Sequence, residues 1–99
     1  MVKHIIVWNF KEDMSAEEKQ SAAARIKTEL EALQGVIEGL IEIKVEVEHL
    51  SSSSGELMLD SSFVDEEALK GYQVHPEHVK AAQFVRSVMG NRSCFDYEV

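Results

Sequence analysis

From Leu40 to Glu48 the chain alternates strictly, with Ile41, Ile43, Val45 and Val47 in one set and Glu42, Lys44, Glu46 and Glu48 in the other. Successive side chains of an extended strand point to opposite faces, so a period of two predicts a half-buried strand. Such a strand needs partners and a cover, and the remaining chain must supply both. Residues 3–10 are β-branched and aromatic and too short for a typical helix, and read as the first strand. His4, Ile6, Trp8 and Phe10 fall on one of its faces, and Lys3, Ile5, Val7 and Asn9 on the other. The middle of this strand is apolar on both sides, which predicts that both faces are covered. A third strand is expected from about Glu56 to Phe63. A fourth runs from Arg92 to Val99, setting Ser93, Phe95, Tyr97 and Val99 against Cys94, Asp96 and Glu98.

Two helical regions separate these strands. Ser15 followed by Glu18 matches a capping box, and the helix it starts is expected to reach about Gln34, with Gly35 as its left-handed stop. Ala22, Ile26, Leu30 and Leu33 form its buried stripe, while Glu17, Lys19, Lys27, Glu29 and Glu31 are expected on the solvated side. The acids Asp65, Glu66 and Glu67 suit the start of a short helix that turns Ala68, Leu69 and Tyr72 inward. Pro76 pushes the residue before it out of helical geometry and suits the first position of a helix itself. One helix should therefore end near Val74 and another begin at Pro76, running to about Met89 with Gly90 and Asn91 as punctuation.

The order strand-helix-strand-strand-helix-strand gives an α+β, ferredoxin-like βαββαβ fold, a four-stranded antiparallel sheet with helices on one face, filling residues 1–99 as a single domain. Helices on one face leave the other bare. The two-sided first strand implies that this face meets a second copy of the chain in a twofold homodimer. With 18 acidic and 10 basic residues the chain carries a net charge of −8, which repels phosphate backbones and anionic lipid, so neither nucleic acid nor membrane is an expected partner. The single cysteine, Cys94, reads as a small buried hydrophobe in a reducing compartment. Without a signal-peptide pattern or a span of membrane length, the expected location is cytoplasmic.

Chemistry concentrates in Tyr72-Gln73-Val74-His75-Pro76-Glu77-His78, which holds two of the four histidines and one of the two tyrosines. His78 falls in the first turn of the Pro76 helix, where the positive end of the helix dipole favours a neutral imidazole, against the opposing pull of Glu77. His75 and His78 are three apart, but His75 precedes the helix and no third or fourth ligand is evident, so no metal is expected. No glycine-rich phosphate loop, nucleophile elbow or paired-carboxylate signature is present, and no cofactor is expected.

Four blocks carry a family resemblance: Val2-Lys3-His4-Ile5-Ile6-Val7-Trp8; Phe63 followed by Asp65-Glu66-Glu67; Tyr72 through Val79; and Phe95-Asp96-Tyr97. In this order they resemble the stress-responsive α/β-barrel (Dabb) family, small dimeric α+β barrel proteins, over nearly the whole chain. The resemblance implies that the sheets of two subunits meet as a barrel. Functions in that family differ widely, from stress-induced stable oligomers to a plant member that cyclises a polyketide without a cofactor. In that member a tyrosine and a histidine do the acid-base work, at positions matching Tyr72 and His78; His4 and His75 also match histidine positions. Ala22, Ala23 and Ile26 replace pocket-lining aromatics, and Trp8 stands where a smaller apolar residue is usual, so the plant substrate does not carry over.

Two functions follow. One is a noncatalytic homodimer with a pocket for a small hydrophobic or aromatic ligand, lined by His4, Ile6, Trp8 and His75. The other is a cofactor-independent cyclase or isomerase in which His78 removes a proton next to a carbonyl and Tyr72 donates a hydrogen bond to the oxygen that gains charge.

Overall fold

A computed structural model describes residues 1–99. The elements in chain order are β1 (Val2–Phe10), α1 (Ala16–Glu31), β2 (Leu40–Glu46), β3 (Leu57–Phe63), α2 (Glu66–Val74), α3 (Pro76–Val88) and β4 (Met89–Glu98). All strand pairings are antiparallel and the sheet order is β2-β3-β1-β4, the ferredoxin-like arrangement. Along β1 the even-numbered residues are buried and the odd-numbered ones half-buried. The helix-covered face thus carries Ile6, Trp8, Leu57, Leu59, Phe63, Ile43 and Val45, closed by Ala22, Ile26 and Leu30 of α1 and by Leu69, Tyr72, Ala81 and Val85 of α2 and α3.

Local signals explain the helix ends. Ser15 and Glu18 form the reciprocal capping box, with Glu18 N–H donating to Ser15 Oγ at 3.1 Å and Ser15 N–H to Glu18 Oε1 at 2.9 Å. Asp65 caps α2 by accepting from Ala68 N–H at 2.8 Å. Gly39, at φ +86°, packs so tightly on α2 that a Cβ there would lie 2.5 Å from that of Ala68.

Several expectations need correction. A bulge between Leu40 and Glu42 takes Ile41 out of the alternation, leaving it 45% exposed while Leu40, Ile43 and Val45 are buried. Lys27 and Glu31 are not free in solvent but clamp the outer edge of β2. Val45 N–H donates to Glu31 Oε2 at 2.9 Å, Lys27 Nζ donates to Val45 O at 2.9 Å, and Gln34 Oε1 accepts from Ile43 N–H at 3.2 Å. Side chains of α1 and the turn after it thereby occupy backbone groups that an edge strand would leave open. Gly90 and Asn91 do not interrupt the chain, because α3 passes directly into β4 at Met89. Cys94 is exposed rather than buried, since the helices leave β4 uncovered along its length.

Candidate active site

The helix break is built by His75 and Pro76. His75 takes an extended conformation (φ −64°, ψ 134°), and its Nδ1 accepts from Glu77 N–H at 3.1 Å, capping α3. This position takes His75 out of the pocket assigned to it from sequence: it is absent from the cleft wall, because its ring is committed to the helix start. The other candidates converge. His4, Ile6 and Trp8 of β1, Tyr72 of α2 and His78 of α3 line one cleft of about 520 Å³, together with Leu30, Leu59, Val85 and the start of β4.

Tyr72 is 1% exposed, and its hydroxyl has no protein hydrogen-bond partner. Burial pushes the phenol well above its ordinary pKa, with Arg92 pulling weakly the other way, so Tyr72 is a hydrogen-bond donor rather than a base. Its ring packs edge-on against Phe63 at 5.0 Å. His78 Nδ1 lies 3.3 Å from Gln73 O. A carbonyl only accepts, so Nδ1 carries the proton and Nε2 keeps its lone pair. Burial holds the His78 imidazole below its ordinary pKa; the Gln73 carbonyl opposes this, while His4, Arg86 and Arg92 reinforce it. The pair therefore combines a neutral imidazole with a protonated phenol.

Strand register builds a second cluster. His4 stands opposite Asp96, and Ile6 opposite Cys94, which sets His4, Cys94 and Asp96 on one face of the β1–β4 pair. His4, 2% exposed, donates from Nδ1 to the Asp96 carboxylate, while Cys94 Sγ lies 3.8 Å from the same nitrogen and donates to Asp96 Oδ1 at 3.4 Å. Partial desolvation and the Asp96 carboxylate hold the thiol above its ordinary pKa, against the pull of Arg92, and the thiolate is thereby disfavoured. The three donor atoms lie within 4.8 Å of one another, the one grouping in the chain that could hold a metal ion, although its members already satisfy each other.

The family model of the stress-responsive A/B barrel domain matches residues 2–99. The chain belongs to the Dabb family. A dimeric protein of unknown function with a ferredoxin-like fold from Bacteroides fragilis is 32% identical, with a TM-score of 0.93 over 99% of this chain and 95% of that one. A Dabb family protein from Mesorhizobium loti (17% identity, TM-score 0.75, 99% and 95% covered) and the hydroxynitrile lyase of Passiflora edulis (14%, 0.74, 99% and 92%) share the fold. No curated protein matches the chain.

Some contributions to this Dabb cleft, and to the His4 cluster beside it, were missed from sequence. Arg86, Asn91 and Arg92 line it because α3 runs straight into β4, a junction that Gly90-Asn91 had suggested was a turn. Asp96 could have been found only through the register that pairs it with His4, ninety-two residues away.

Proposed function

We propose that this Dabb domain is a homodimer in which each copy binds a small, mainly apolar molecule in its cleft. The Tyr72 hydroxyl carries the reading, being buried on the cleft wall and bonded to no protein group. A buried hydroxyl without a partner costs about 1–3 kcal/mol, so a ligand atom that reaches it gains binding energy the fold leaves unused. The cleft volume of about 520 Å³ suits a molecule of one or two rings. Trp8, the only tryptophan and part of the wall, reports occupancy. Its emission should change as small aromatic and polyketide-like compounds are added, and a silent response across such a panel counts against the cleft.

The dimer is supported by the sheet face away from the helices. There Phe95 is 68% and Tyr97 42% exposed, their ring centroids 5.8 Å apart, beside half-buried Ile5 and Val7. An identical copy covers this patch by twofold symmetry, as the dimeric description of the Bacteroides fragilis relative suggests. Light scattering should give twice the 11.2 kDa chain mass; particles of 11.2 kDa at micromolar concentration would refute the pairing. A free exposed thiol suits a reducing, cytoplasmic setting.

A second reading, a cofactor-independent cyclase or isomerase, is favoured by the protonation states of Tyr72 and His78. His78 Nε2 takes a proton from carbon next to a carbonyl. The electron pair moves to the carbonyl oxygen, and the resulting enolate accepts a hydrogen bond from Tyr72. In aldol closure the enolate carbon bonds to a second carbonyl carbon, and the imidazolium returns its proton to the new alkoxide. Deuterium exchange into a bound ketone should stop in His78→Ala, and exchange at the unmodified rate in that variant discards catalysis while leaving binding intact.

A further inference from the structure

The cleft differs in charge from the chain that builds it. The protein carries 18 acidic and 10 basic residues, yet none of the 15 residues lining the cleft is Asp or Glu, and two are Arg86 and Arg92. Arg92 stands opposite Trp8 across the β1–β4 pair, so the two share the cleft face, and Arg86 reaches the cleft from the last turn of α3. The third arginine, Arg25, is held by Glu29 at 2.6 Å and stacks over Phe84 at 3.7 Å. Neither Arg86 nor Arg92 enters an ion pair. After burial itself, their charges help to hold His78 neutral, and Arg92 also acts on Tyr72, so the positive field reaches the polar end of the cleft.

We infer that the cleft selects small apolar molecules bearing a carboxylate, with the apolar body among Ile6, Trp8, Leu30 and Leu59 and the carboxylate on Arg86 and Arg92. The inference rests on the cleft-binding reading and narrows it to a ligand class. Two guanidinium groups outside any ion pair, on a wall with no acidic lining residue and with Asp96 of the same strand face already bonded to His4 and Cys94, are open to an outside anion, and their planar forks match a carboxylate in paired hydrogen bonds. A carboxylate is favoured over a phosphate because no lysine and no glycine-rich loop lines the cleft.

Matched probes test this: 2-naphthoate, its neutral isostere 2-naphthamide, and 2-naphthyl phosphate, followed by Trp8 emission and calorimetry on the full chain. Naphthoate should bind at least about tenfold tighter than naphthamide, and the preference should shrink in high salt. In the Arg86→Gln/Arg92→Gln double variant, both sites being exposed, the two affinities should converge through loss on the naphthoate side alone. Equal affinities in the unmodified protein overturn the carboxylate assignment while the cleft reading stands. Tighter binding of the naphthyl phosphate, or a preference that survives the double variant, also overturns it. Binding of none of the three removes the cleft reading and this inference together.

Discussion

The imidazole of His78 lies against the phenol ring of Tyr72, with ring centroids 4.2 Å apart and planes tilted by 42°. In an unbroken helix, residues six apart are turned by about 240° about the axis and do not face each other. The extended His75 and the new start at Pro76 bring the two rings together from separate helices.

His78 gives the protein a pH response in the weakly acidic range. The fold favours the neutral ring, so this contribution to stability is complete above the ordinary histidine value of 6.5 and is lost as pH falls through the lowered folded value. Urea unfolding at pH 7.5 and 5.5 should show the loss, and His78→Ala should flatten that interval. An NMR titration placing the His78 midpoint at or above 6.5 contradicts the assignment.

Tyr72→Phe separates stability from binding. The substitution removes a buried hydroxyl that has no partner, so folding stability should stay level or rise by about 1 kcal/mol. Affinity for a ligand that bonds the hydroxyl should fall about fivefold. Denaturation and Trp8 titration on one preparation read both, and a variant destabilised by 2 kcal/mol or more would mean that the hydroxyl is satisfied in solution.

His75→Ala should cost about 1 kcal/mol through loss of the α3 cap and leave cleft affinity unchanged. A variant of full stability and weakened binding would return His75 to the pocket.

Glu31→Ala should open the β2 edge. It frees Val45 N–H and leaves Lys27 with only Val45 O, for an expected loss of about 1 kcal/mol and a greater tendency to aggregate on heating. Burial works to raise the Glu31 pKa, but Lys27 and the Val45 N–H outweigh it and hold the carboxyl below 4.5. Its stabilisation is therefore present above pH 4.5 and disappears as pH falls through the lowered value, an acid dependence that Glu31→Ala should lack.

Legibility in the sequence followed the range of the interaction concerned. The Ser15–Glu18 box, the Asp65 cap and the break at Pro76 act within a few residues, and each leaves a readable pattern. The strand at residues 3–10, the alternation after Leu40 and the succession of strands and helices were enough to give the ferredoxin-like arrangement, but not to show the bulge that expels Ile41. Alternation reports which side chains are apolar, whereas a bulge is set by how Leu40 and Glu42 pair with β3. The grouping of His4, Cys94 and Asp96 depends on the β1–β4 register. The apolar setting of Cys94 reads as buried, yet β4 lies beyond the reach of the helices, and nothing in its own residues reports that.

The two margins of the sheet are unlike. One is stoppered by Glu31, Lys27 and Gln34, while the backbone of the other, along β4, is bare. A ribbon with one blunt side can be lengthened only at its sticky side: any edge-to-edge contact made there, apart from the face-to-face pairing of the dimer, would present blunt ends outward, and growth would halt. Stacked, amyloid-like elongation of the folded protein is thereby denied a second docking point.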